Sequence, residues 1–179
     1  MPDLGLRPVP TDAGGDVATH ALHDGHRGVS RTLVIGTLTV ASLDLADALI
    51  FFGLRGVEPA RILQSIASGL LGRDAYAGGA ATAALGMLLH FAIIAVIVTL
   101  YVAASRRAPS LVCRPWLYGP LYGLAVYVVM NQVVVPLSAA AVGPTTPAAL
   151  VNGLLIHAFG VGLVTALFAR AAQATPARR

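Results

Sequence analysis

Four blocks of mainly apolar residues, near 32–54, 80–104, 116–138 and 147–169, constrain this chain more than any motif in it. Each reaches the ~20 residues that a helix needs to cross the hydrocarbon core of a bilayer. Inside hydrocarbon every backbone amide must find its partner within the protein, which leaves such blocks the helix as their conformation. Composition agrees: 56% of the 179 residues are hydrophobic and 11% are charged, where a soluble domain carries about 25% charged residues. The expected fold is all-α, a polytopic membrane protein with a four-helix transmembrane bundle over residues 32–170 and a short tail at 171–179.

All twelve basic residues are arginine. Nine of them (Arg7, Arg27, Arg31, Arg106, Arg107, Arg114, Arg170, Arg178 and Arg179) lie in the N-terminal segment, the second loop or the C-terminus. The other two loops hold Arg55, Arg61 and Arg73. The positive-inside rule then places both termini in the cytoplasm and predicts a multi-pass membrane protein. This arrangement accounts for the net charge of +4, so the lipid bilayer is the expected partner and nucleic acid is not. The first span lacks a small-residue cleavage site at signal-peptide distance and reads as retained. With Cys113 as the single cysteine, neither an intrachain disulfide nor a cysteine-based metal cage is possible.

Residues 1–31 are rich in Gly, Pro, Asp and Thr without apolar periodicity and read as a disordered cytoplasmic tail. His20, His23 and His26 recur there every three residues. No further ligand completes a tetrahedral set, so they read as solvated residues more readily than as a metal tract. The first loop differs. Pro59 suits a first helical turn, and Glu58 stands where the helix dipole favours an acid. Ile62, Leu63, Ile66, Leu70 and Leu71 follow at helical spacing, predicting a short amphipathic helix over about 59–71 on the outer side. Such a helix is interfacial or re-entrant, and the stripe does not separate a lid from a packing element.

The chemistry-bearing residues lie inside the spans. An ionisable side chain at membrane depth costs something like 2.5–3.5 kcal/mol even on a lenient insertion scale, and faces the bundle interior. Asp44 and Asp47 in the first span, His90 in the second, Asn131 in the third and His157 in the fourth are the candidates. At 1.5 Å per residue, all five fall within roughly 6 Å of the midplane. Asp44 and Asp47, three apart, share a helix face.

"GMLLH" (Gly86 to His90) and "GLLIH" (Gly153 to His157) suggest a duplication of two helical hairpins, with Gly36 and Asp44 matching Gly123 and Asn131, and Thr99 matching Thr165. Pro136 predicts a kink that frees backbone groups on the preceding turn. Gly119 and Gly123 form a GxxxG, which allows close helix approach and permits a homodimer or larger membrane complex.

The block "YGLAVYVVMNQVVVPL", following a histidine-bearing second helix, resembles the YagU-like family of four-helix bacterial inner-membrane proteins. The likeness covers roughly residues 80–165 and implies a place in the bacterial cytoplasmic (inner) membrane. It implies that His90, Asn131, Pro136 and His157 take the places of the family's polar and proline positions. Asn131 stands where the family pattern has a histidine, and the Asp44/Asp47 pair and the long first loop have no counterpart in it.

Three functional readings follow. Carboxylates beside imidazoles in low dielectric are the components of a proton- or cation-handling site, with Asn131 orienting a histidine. The same layer read as structure is a hydrogen-bond network that fixes which helices pair. His90 and His157 on co-directional helices would also serve as axial ligands of one haem b, and with Asp44 and Asp47 as a divalent-metal set, but no cofactor is the primary expectation. No nucleotide, nucleophile or zinc signature is present, so an enzyme is not expected.

Overall fold

The computed structural model describes the backbone of residues 13–141, 143 and 145–174, with side chains from residue 33 to 173 within those ranges and at Ser30. Among the described residues the regular structure is helical throughout. Four helices are long and apolar enough to cross a membrane: Leu33–Gly53, Gly79–Arg107, Pro115–Leu137 and Pro147–Gln173. They are termed spans one to four. The sequence boundaries agree closely, the largest difference being the fourth span's end at Gln173 where residue 169 was expected.

The N-terminal segment departs from expectation. Span one is the C-terminal part of one helix, Ala13–Gly53, so residues 13–31 are helical where a disordered tail was expected. Once a helix is nucleated by a buried span, each further residue adds a hydrogen bond without a new nucleation cost. The side chains of His20, His23 and His26, and residues 1–12, lie outside the described residues.

Span four packs against spans one and three, and span two packs against span one and also meets span four. The core of Val40, Ile94, Val98, Tyr101, Val126, Val161 and Ala166 fills the half of the bundle toward Arg107. Tyrosines tie span three to span two there. The Tyr122 hydroxyl donates to the Ile97 carbonyl at 2.7 Å, and its ring meets the Tyr101 ring edge-on at 4.9 Å.

Spans three and four approach through glycine. A Cβ at Gly123 would fall on the His157 carbonyl, and one at Gly162 on the Gly119 carbonyl. The GxxxG of span three is therefore occupied within the chain. Lipid offers no hydrophobic drive for helices to associate, so such backbone proximity supplies the dispersion contacts that hold the pair.

The loop helix, Pro59–Leu71, opens at Pro59 and ends at Gly72, whose φ of +60° is open to glycine and strained for other residues. Its packing differs from the apolar stripe read in the sequence. Ile62, Gln64, Ala67 and Ser68 are buried, whereas Leu70 is 65% and Leu71 42% exposed. The cause is Gly86 of span two, where a Cβ would strike the Leu63 carbonyl. Backbones that close demand small residues at the contact, and the leucines turn outward. Gln64 donates to the Gly79 carbonyl at 3.0 Å, and the Gly69 carbonyl accepts from the Ala139 amide at 3.0 Å. These bonds anchor the loop helix to span two and to the chain after span three. Gly86→Leu is expected to lift it, seen as lost amide-exchange protection over residues 59–71; unchanged protection would show that the close approach is not needed.

Candidate functional site

Asp44 stands at the centre of the polar layer. Its position on span one turns it toward both neighbouring spans that carry histidine. Asp44 Oδ2 lies 4.0 Å from His90 Nε2, and Oδ1 lies 3.9 Å from His157 Nδ1. One carboxylate thus stands between two imidazoles, one oxygen toward each. Both separations exceed hydrogen-bonding distance.

The two imidazoles are held differently. His90 Nε2 is 2.9 Å from the Ala41 carbonyl, one turn before Asp44 on span one. A carbonyl only accepts, so this contact makes Nε2 the protonated nitrogen. The His90 ring also meets Phe91 edge-on at 5.8 Å. His157 has no comparable tether. Its Nδ1 is buried without a hydrogen-bond partner, and its ring is fixed by edge contact with Tyr127 at 5.2 Å. Gly153 makes room for that tyrosine, since a Cβ there would lie 2.5 Å from Tyr127 Cε2.

His157 lies within a π-helical segment, Ile156–Leu163. Span three carries another, Met130–Val134, ending just before Pro136. Proline has no amide hydrogen and its ring crowds the carbonyl four residues back; an inserted π-turn relieves both. The backbone groups that Pro136 was expected to free are accommodated in this form. The Val135 amide reaches back five residues to the Met130 carbonyl.

Asp47, one turn from Asp44, accepts a hydrogen bond from the Asn152 amide at 2.7 Å and so joins span one to span four. Asn131 is placed apart from the histidines: its amide donates to the Tyr127 carbonyl of its own span at 2.9 Å. The site therefore gathers Asp44, His90 and His157, with Asp47 beside them. The sequence reading passed over Asn152 and Tyr127. An amide in an apolar span, five residues before His157, was the available signal for Asn152. Tyr127 offered none, because aromatic residues are ordinary in such helices.

The suggested duplication does not extend to the site. Gly86 receives the loop helix backbone whereas Gly153 receives a tyrosine ring, and both histidines converge on the carboxylate of span one. Thr99 bonds the Ala95 carbonyl while the buried Thr165 hydroxyl has no partner.

Among the described residues, no group of three or more His, Cys, Asp or Glu side chains is arranged to hold a metal ion. Comparison with protein-family models, curated proteins and solved structures gives no match for this chain.

Proposed function

We propose that this membrane protein handles protons, with Asp44, His90 and His157 as the groups that hold and exchange them. The observation that carries the reading is the buried, unpartnered His157 Nδ1, 3.9 Å from Asp44 Oδ1. A layer that only fixed helix packing would satisfy its polar atoms, because each buried group left unpaired costs about 1–3 kcal/mol. Here a displacement of about 1 Å would bring either imidazole into hydrogen-bonding range of the carboxylate. Three neighbouring groups that exchange a proton without bonding tightly are the parts of a relay.

The same carboxylate argues against a bis-histidine haem, since it stands between the two rings that would have to flank an iron. A non-enzymatic role fits the absence of a nucleophile or cofactor fingerprint in the sequence. A bacterial inner membrane with cytoplasmic termini is favoured by the arginines at the ends of spans two and four. The YagU-like likeness is supported by histidines in those spans and by the polar residue and proline of span three.

For Asp47 the packing reading is favoured by its complete hydrogen bond to Asn152. In proteoliposomes carrying an internal pH dye, wild-type protein is expected to dissipate an imposed pH gradient faster than protein-free vesicles. His90→Gln and His157→Gln should each slow this about tenfold or more. Asp47→Asn should lower the melting temperature and leave the flux. Flux equal to protein-free vesicles in the wild type and both histidine variants would overturn the proposal.

A further inference from the structure

The end of the bundle that carries the loop helix holds a cleft of about 640 Å³, lined by Phe52, Val57, Glu58, Arg61, Ser65 and Tyr76 among others. Its two charges are of opposite sign and three residues apart, a spacing at which a helical acid and base meet. They nevertheless do not pair: among the described residues only the histidine contacts of Asp44 reach ion-pair distance. Glu58 is the N-cap residue of the loop helix but its carboxylate makes no capping bond. The Arg61 guanidinium instead lies 5.4 Å over the Tyr76 ring, which fixes its place while leaving its donors open. Tyr76 is itself held by the Ala141 carbonyl at 3.4 Å.

An unpaired acid and an unpaired base lining one cleft match a ligand with both charges close together. The cleft's place says where that ligand comes from. It begins at Phe52, in the last turn of span one, and Leu54, two residues further along the chain, is 82% exposed. A membrane-spanning helix ends where headgroups begin, so the apolar side of the cleft faces the glycerol and acyl region and the charged side the headgroups. We propose that this cleft binds the headgroup of an aminophospholipid, Arg61 taking the phosphate and Glu58 the primary ammonium. A planar guanidinium is suited to phosphate oxygens, and a carboxylate accepts hydrogen bonds from a primary ammonium that a quaternary one lacks. The inference is independent of the proton-handling reading.

Native mass spectrometry of the full chain with equimolar phosphatidylethanolamine, phosphatidylcholine and phosphatidylglycerol tests it. The wild type should retain phosphatidylethanolamine about fivefold over either competitor, the upper range for one exposed charge contact. Glu58→Gln should remove the preference over both competitors, and Arg61→Gln should weaken retention of every phospholipid. Equal retention of the three lipids by the wild type, or a preference untouched by either substitution, would overturn the assignment. Displacement of the bound lipid by free phosphoethanolamine would overturn its membrane source. Both side chains are exposed, and an unchanged melting temperature confirms that each variant is folded.

Discussion

Gly123→Val is expected to cause the largest loss of stability of any single substitution in the spans. The first atom of any side chain there would coincide with the His157 carbonyl, and the Ala158 backbone lies just behind it. Neither is the movable end of a side chain, so spans three and four must separate. Overpacking costs typically 1–3 kcal/mol and more when backbone has to move; about 3 kcal/mol corresponds to a fall of about 10 °C in melting temperature for a chain of this size. Gly53→Ala, where nothing lies within 4 Å, serves as the control and should melt with the wild type. Because His157 sits on the displaced turn, proton flux should fall with stability in Gly123→Val. A melting temperature within a degree or so of the control would show that the glycine contact contributes little.

Asp44→Asn is expected to separate function from stability. It keeps the shape of the side chain and removes the charge between the imidazoles. If the layer were glue, this would cost stability. The contacts are long, at 3.9 and 4.0 Å, so little bonding energy is lost, while the desolvation cost of a largely buried carboxylate disappears. The expected result is a melting temperature unchanged or raised by about 3 °C, on the order of 1 kcal/mol, with flux reduced to that of empty vesicles. A marked fall in melting temperature with flux preserved would identify the layer as structural.

How much of this was legible in the sequence depends on range. The spans were, because burial in lipid leaves an apolar run long enough to count and only the helix to satisfy its amides. Pro59 and Pro147 marked helix starts for the same local reason: a missing amide hydrogen costs nothing in a first turn. Cost also singled out Asp44, His90 and His157, since polar groups at that depth stand out against hydrocarbon. Their partners were not legible. That both histidines meet Asp44, that Asn152 bonds Asp47, and that Asn131 bonds its own span instead of orienting a histidine, depends on how span four packs against spans one and three. Helix order is set by backbone proximity at Gly119, Gly123 and Gly162, and periodicity within one helix carries no record of it. The loop helix shows the same limit. Its leucine stripe correctly signalled a helix but not its buried face, because Gly86 on a different helix decided which residues fit.

Imidazole-nitrogen NMR of the reconstituted protein, with His90 and His157 assigned from their glutamine variants, tests the shared site most directly. If one carboxylate serves both rings, Asp44→Asn moves the resonances of His90 and His157 together, and removing either histidine perturbs the other. Resonances that ignore Asp44→Asn, or a response confined to one ring, would mean that no common centre joins the three helices.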